Sequence, residues 1–255
     1  MENICPVEKN RDYIMRIDDI GNDGEGIGKI EGFTVFVKDA LPQEKVSVKI
    51  VKVKKNFAYG RLMEIIEPSE NRVQPKCGVY KRCGGCSLQH LSYEAQLDFK
   101  TKKVYDALTR IGGFKNPTVE RAVGMDNPFY YRNKAQFPVG KDKNGVKIGF
   151  YAPRSHDIVD VEECIIQNKI NRQINDIIRC FITEEGIEPY DESTGRGLLR
   201  HIVTRVGFVT GEVLVCLVVN GRKIPSSEKL VKKLRDIKGV KGIVLNVNTK
   251  KTNVI

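Results

Sequence analysis

The sequence predicts two structural units, an all-β barrel over residues 1–68 and an α+β domain over residues 69–255. Three observations lead to this division. Short runs of alternating apolar and polar residues fill the first part of the chain. A polar segment bounded by prolines, 67–75, follows them and is typical of a linker. Beyond the linker, strand patterns and helix patterns are mixed, which indicates an α+β domain.

The predicted barrel is clearest between Tyr13 and Ile66, where five short strands are separated by glycine-rich corners. Val46, Val48 and Ile50 alternate with polar residues, as expected for a strand that buries one face. Five short strands in so short a stretch are typical of a small closed barrel of the OB type.

The α+β domain is predicted to begin with a helix over residues 92–111. Ser92 suits the N-cap of this helix, and the pair Gly112-Gly113 is expected to end it. A hairpin is predicted within residues 135–152, where an Asn-Gly step favours a tight turn.

The rest of the α+β domain continues the same mixture of elements. Apolar residues at helical spacing predict a helix over 167–185. A second pair of strands, another helix and a last strand are predicted at 198–208, 212–220, 226–237 and 242–248. These elements indicate an antiparallel sheet that carries helices.

Charge is distributed unevenly along a chain whose formal net charge is +11. Residues 1–70 hold 11 Lys or Arg against 13 Asp or Glu, whereas residues 71–255 hold 32 against 19. A basic domain of this size suggests a polyanionic partner, with nucleic acid the first candidate, although a basic surface that serves solubility alone is the alternative. No apolar run is long enough to cross a bilayer and the first residues do not resemble a signal peptide, so we expect a cytoplasmic protein without a membrane partner.

Three of the seven cysteines, Cys77, Cys83 and Cys86, lie within ten residues with the spacing C-x5-C-x2-C. Clustered thiols in a cytoplasmic protein more often bind metal or carry out redox chemistry than form stable disulfides. Cys164 lies in a loop and could add a fourth thiolate, whereas Cys180 and Cys216 are expected to be buried. Zinc usually takes two close pairs of ligands, and a grouping of three plus one is more typical of a [4Fe–4S] cluster. A thioredoxin-like CGGC motif is a third hypothesis, but it leaves Cys77 unexplained.

The segment KCGVYKRCGGCSLQHLSYEAQLDFK, 76–100, resembles the iron–sulfur motif of the bacterial 23S rRNA (uracil-5-)-methyltransferases, in the RNA 5-methyluridine methyltransferase family. The glycine-rich stretch GNDGEGIGKIEGFTVFV is similar to part of a TRAM domain, an RNA-binding barrel, and the segments 130–137 and 195–205 look like the central domain of that family. The resemblance implies a [4Fe–4S] cluster, and its ligands would be Cys77, Cys83, Cys86 and Cys164.

The same resemblance implies a further domain that this sequence does not show. In that family a Rossmann-like domain binds S-adenosylmethionine and supplies a nucleophilic cysteine and an acidic base. No glycine-rich turn here links a strand to a helix in that way, because Gly24, Gly26 and Gly28 precede further strands. We therefore expect the catalytic domain to be missing, with no catalytic residue and no S-adenosylmethionine site in this chain.

Basic and aromatic residues in both units are candidates for RNA contact, since single strands bind to positive grooves with aromatic platforms and arginine suits phosphates and splayed bases. In the barrel the alternative is a basic strand edge that prevents aggregation, and elsewhere it is core packing or ordinary surface charge. The candidates are Lys52, Lys54, Lys55, Phe57, Tyr131, Arg132, Lys134, Arg200, His201 and Arg205.

These predictions lead to one main hypothesis about function. The chain would be the RNA-recognition portion of a 23S rRNA uracil-5 methyltransferase, inactive alone or completed by a separate catalytic fragment. The alternatives are a stand-alone RNA-binding iron–sulfur protein and a zinc-stabilised protein that binds nucleic acid.

Overall fold

A computed structural model describes residues 5–252 and divides the chain into two compact units. The first unit runs through Lys76 and includes Cys86–Met125, and the second combines Cys77–Gly85 with the residues from Asp126 onward. The chain thus changes unit between Gly85 and Cys86, inside the cysteine motif. Because the two units are defined by their compactness alone, the predicted domain boundary at residue 68 stays a prediction.

The N-terminal strands form the closed barrel that the sequence predicts. Its strand order is β1-β2-β3-β5-β4, in which β3 and β5 are parallel and β4 pairs antiparallel with both β1 and β5. Val35, Val37, Val46, Val48 and Ile50 are fully buried inside it. The strands are β1 Asp12–Ile20, β2 Gly26–Ile30, β3 Phe33–Lys38, β4 Lys45–Val53 and β5 Phe57–Glu67.

A buried ion pair attaches the segment after the barrel to the barrel wall. Glu44 is completely buried, and its two carboxylate oxygens accept bonds from Arg72 at 2.5 and 2.9 Å. The N–H groups of Leu41 and Ser69 donate to the same carboxylate at 2.8 and 3.4 Å. Arg72 also donates to the carbonyl oxygen of Asp39 at 2.7 Å, so one side chain holds two parts of the chain together.

The predicted helix after the linker is present as α1, Tyr93–Asp106, and it continues as a π-helical turn, Ala107–Ile111. Ser92 is its N-cap, because its hydroxyl oxygen accepts from the N–H of Ala95 at 3.4 Å. The widened last turn closes with the N–H of Gly112 donating to the carbonyl oxygen of Ala107.

The second unit contains a six-stranded sheet of order β11-β10-β9-β6-β7-β8. All neighbouring strands are antiparallel except β10 and β11, which are parallel. The prediction of an antiparallel sheet is wrong at this edge, because helix α3 crosses over between β10 and β11 and returns the chain in the same direction. The elements are β6 Lys134–Asp142, β7 Gly145–Tyr151, β8 Ile158–Asp160, α2 Ile170–Glu184, β9 Leu199–Val206, β10 Val213–Val219, α3 Ser227–Arg235 and β11 Val240–Val247.

The core of the second unit lies between this sheet and its helices. Ile174, Ile178 and Phe181 of α2 and Leu230 and Leu234 of α3 are buried there with the apolar residues of the strands. None of the helices in residues 5–252 is long and apolar enough to span a membrane.

Candidate nucleic-acid interface

Three aromatic rings lie together on the outside of the barrel, where β3 and β5 run side by side. Phe57 packs edge-on against both Phe36 and Tyr59, with ring centroids 5.4 Å apart in each case. Phe36 and Tyr59 are register partners, and their ring centroids are 6.0 Å apart. Tyr59 is 39% exposed, whereas the two phenylalanines are half-buried. We call these three residues the aromatic face.

Basic residues surround the aromatic face on the neighbouring strands. Lys52 on β4 is the register partner of Tyr59, and Lys38 on β3 is the register partner of Arg61 on β5. Lys29 on β2 pairs with Thr34, which in turn pairs with Phe57. Lys29, Lys38, Lys52 and Arg61 are exposed, and none of the four forms an ion pair within residues 5–252.

The structure brings together the barrel candidates that the sequence predicts. Lys52, Lys54 and Lys55 are exposed at the end of β4 and in the turn after it, and Phe57 begins β5 directly beyond that turn. The pairing of β4 with β1 ends at Lys49, whereas its pairing with β5 continues to Val53, so Lys52 lies where β4 has a register partner on one side only. The alternative that these lysines protect a strand edge therefore stays a prediction.

The candidates from the sequence did not include Lys29, Phe36, Lys38 and Arg61, which belong to this surface. A usable signal was present in FTVFVK, where alternation places Phe36 and Lys38 outside once Val35 and Val37 point into the barrel. The parallel pairing of β3 with β5, which brings Phe36 next to Tyr59, was not visible in the sequence.

In the second unit, Tyr131, Arg132 and Lys134 are exposed and lie just before and at the start of β6. The N–H of Arg132 donates to the carbonyl oxygen of Ile166 at 3.0 Å, so this stretch is attached to the loop that contains Cys164. The hydroxyl of Tyr130 donates to the carboxylate of Glu163 at 3.1 Å, and burial together with Glu163 raises the pKa of Tyr130.

Lys134 and Arg205 are register partners on the sheet, and both line a shallow concavity of about 310 Å³ on one face of it. The other residues of this concavity are Gln136, Val203, Leu214, Cys216, Val244 and Asn246. Burial raises the pKa of Cys216, which therefore favours the neutral thiol.

Arg200 and His201 lie inside the protein. Arg200 is 3% exposed and donates to the carbonyl oxygens of Asn248, Lys250 and Thr252 at 2.7–2.8 Å, with its guanidinium 4.2 Å from the centre of the Tyr190 ring. Burial, with a further contribution from the Arg200 charge, lowers the pKa of His201 to about 4, so its ring is neutral at pH 7. Neither side chain is presented to a ligand at this surface.

The four predicted cysteine ligands are all half-buried. In the second unit the N–H of Gly85 donates to the sulfur of Cys83 at 3.3 Å, and the N–H of Gly84 donates to the carbonyl oxygen of Tyr151 at 3.0 Å. A side chain at position 84 would place its Cβ 2.9 Å from that oxygen, which explains the glycine there. Cys180 is exposed on α2, so the prediction that it is buried is wrong.

A thiolate-bound group suits the donor chemistry of this motif, because soft sulfur ligands with N–H donors nearby are typical of such sites. Within residues 5–252, however, no group of three or more His, Cys, Asp or Glu side chains is placed to hold a metal ion. The iron–sulfur prediction is therefore not supported by the placement of these side chains.

Comparison with known proteins relates the chain to enzymes that modify RNA. Residues 7–63 match the TRAM domain model. An uncharacterized RNA methyltransferase of Clostridium acetobutylicum is 50% identical over the whole chain, which covers 56% of that protein, and one of Clostridium tetani is 49% identical, with 55% covered. The crystal structure of Pyrococcus abyssi tRNA (uracil-54, C5)-methyltransferase in complex with S-adenosyl-L-homocysteine is similar with a TM-score of 0.67 and 28% identity, over 94% of this chain and 52% of that one.

The chain spans about half the length of the curated relatives that it matches. These comparisons do not support the prediction that the catalytic domain is missing, because they relate the chain to part of longer proteins. Similarity over the full length of the chain, together with the TRAM domain, relates it to the RNA methyltransferase family.

Proposed function

We propose that the chain is the RNA-recognition portion of an S-adenosylmethionine-dependent RNA (uracil-5-)-methyltransferase. The observation that carries this proposal is the similarity of nearly the whole chain to the Pyrococcus abyssi enzyme, at 28% identity and a TM-score of 0.67. The aromatic face and its unpaired basic neighbours support a role in holding RNA.

S-Adenosylmethionine would supply the methyl group, and we assign no site for it to this chain. The strand–helix–strand unit β10-α3-β11 is the described part that most resembles a nucleotide-binding unit. Its first turn, NGRKIPSS, holds one glycine, Gly221, where a phosphate-type fingerprint needs several. The role of the chain's own residues is therefore to bind RNA and to orient it.

The RNA class has two candidates. The cysteine motif resembles that of 23S rRNA enzymes, which favours a ribosomal RNA, whereas the similar solved structure is that of an enzyme for tRNA. Titration of the chain with a labelled tRNA transcript and a labelled ribosomal RNA fragment separates them. We expect tight binding to one of the two and no methyl transfer by the chain alone, and binding to neither would contradict the proposed function.

The cysteine motif carries a separate part of the proposal, namely that Cys77, Cys83, Cys86 and Cys164 bind a [4Fe–4S] cluster. Its support is the spacing of these cysteines in the sequence and the N–H of Gly85 that donates to the sulfur of Cys83. No step of RNA recognition is assigned to the cluster.

Protein purified without oxygen should contain about four irons and four acid-labile sulfides per chain. Cys164→Ser should lose most of this iron, whereas Cys180→Ser, which alters an exposed cysteine outside the motif, should keep it. Zinc without iron would favour the zinc-stabilised alternative, and a protein with neither metal would overturn the assignment of these four ligands.

A further inference from the structure

We propose that the aromatic face of the barrel, Phe36, Phe57 and Tyr59, is a stacking platform for unpaired bases of single-stranded RNA. This inference rests on the proposed function for its ligand, and it adds a defined site and a preference for unpaired over paired RNA. Stacking on an aromatic ring needs a base whose flat side is accessible, which a duplex does not provide along its length.

The arrangement of the rings suits this role because it is already restrained before any ligand arrives. Phe57 stands nearly perpendicular to both other rings, with interplanar angles of 89° in each pair. Tyr59, the most exposed of the three, is thus supported by Phe57 and Phe36. A ring that is held in place loses little conformational entropy when a base stacks on it.

The charges around the rings favour a phosphate backbone. Lys52 lies beside Tyr59 on one side, and the pair Lys38 and Arg61 lies one step further along the strands. Among the described residues, 5–252, these cations form no ion pair, although residues 1–70 carry more acidic than basic side chains. The basic character of this face is therefore local.

Several acidic groups of the first unit are engaged elsewhere. Glu67 is bound by Arg16 and Lys45, and Asp19 is bound by Lys102. Asp39, directly after β3, is the acidic residue nearest in sequence to the aromatic face, and it is half-buried. Glu31, in the turn between β2 and β3, and Glu64 on β5 are the next nearest. The row of Phe57 contains Thr34 and Lys29, without a carboxylate. The row of Phe36 and Tyr59 runs from Lys52 to Ile27 and continues to Asp19 on β1, whose carboxylate is bound by Lys102.

The chain contains no tryptophan, so Tyr59→Trp gives a single fluorescent reporter at the proposed platform. A uridine-rich single-stranded RNA should quench its emission, because a stacked base contacts the indole directly. Inorganic polyphosphate of matched charge should not quench it, since it has no bases. Ile14→Trp is the matched control, because Ile14 is 65% exposed on β1, away from β3 and β5, and its emission should not change.

Affinities provide the second measurement. Tyr59→Ala should weaken binding of the single strand about tenfold, within the range for loss of one stacked base. Tyr59→Phe keeps the ring and should bind within about twofold of the unmodified chain. A duplex of the same sequence should bind equally well to the unmodified chain and to Tyr59→Ala.

The outcomes separate this inference from the proposed function. If the unmodified chain binds RNA but the indole is not quenched and Tyr59→Ala binds normally, the platform is wrong and the proposed function stands. If polyphosphate quenches as strongly as RNA, the site recognises charge alone and the stacking inference is overturned. If the unmodified chain binds no RNA, both fail.

Discussion

Replacing Arg72 by alanine should destabilise the barrel by about 3–5 kcal/mol at pH 7, because it leaves the buried carboxylate of Glu44 without its counter-ion. The N–H groups of Leu41 and Ser69 would be the remaining donors to that carboxylate among the bonds described above. The shift of the urea unfolding midpoint measures this loss. Arg16→Ala is the matched control, since Arg16 pairs with Glu67 on the surface and its side chain is 62% exposed. We expect that variant to lose at most about 1 kcal/mol.

The loss of stability in Arg72→Ala should depend on pH, because Glu44 is a titratable carboxyl. Burial alone would raise the pKa of Glu44, but the bonds from Arg72 and the N–H groups outweigh it and lower the pKa below its ordinary value of 4.5. A lowered pKa in the folded state stabilises the protein above about pH 4.5, and this contribution is lost as the pH falls through the folded value. Without Arg72 the carboxyl is easier to protonate, so the difference between Arg72→Ala and the unmodified chain should shrink from pH 7 to pH 4. An equal difference at both pH values would contradict the ion-pair explanation.

Replacing Arg200 by alanine should destabilise the second unit by about 3 kcal/mol, because three backbone carbonyl oxygens lose a charged donor and Tyr190 loses its cation. The bonded carbonyls belong to Asn248, Lys250 and Thr252, so the segment after β11 should also become more susceptible to proteolysis. Urea unfolding and limited proteolysis measure the two effects.

Arg205→Ala is the matched control on the same strand, because Arg205 is exposed and should change stability by less than about 0.5 kcal/mol. The order of the two variants should reverse for RNA affinity. At a temperature where both are folded, Arg205→Ala should lose more RNA affinity than Arg200→Ala. Full stability of Arg200→Ala together with lost RNA binding would restore Arg200 as an RNA contact.

Local sequence patterns predicted most of the secondary structure. Alternation in Val46, Val48 and Ile50 identified β4, and Ser92 with the glycine pair after residue 111 bounded the first helix. These signals succeed because strand alternation, helix capping and glycine turns depend on residues close together in the chain.

Contacts between residues far apart in the sequence were much harder to predict from local patterns. The parallel pairing of β10 with β11 depends on how α3 packs, and the aromatic face depends on β3 lying beside β5. The burial of Arg200 was missed for the same reason, since its partners lie about fifty residues later in the sequence. From the sequence alone, an arginine in a strand is expected to be a surface charge, because the segment that supplies its carbonyl partners is not known.

The most direct test of RNA recognition is the affinity of the unmodified chain for a single-stranded RNA as a function of salt concentration. We predict binding that exceeds the affinity for polyphosphate of matched charge. If the four unpaired cations around the aromatic face contact phosphates, the slope of log affinity against log salt should be about −3. No binding at low salt, or equal affinity for RNA and polyphosphate, would contradict the account.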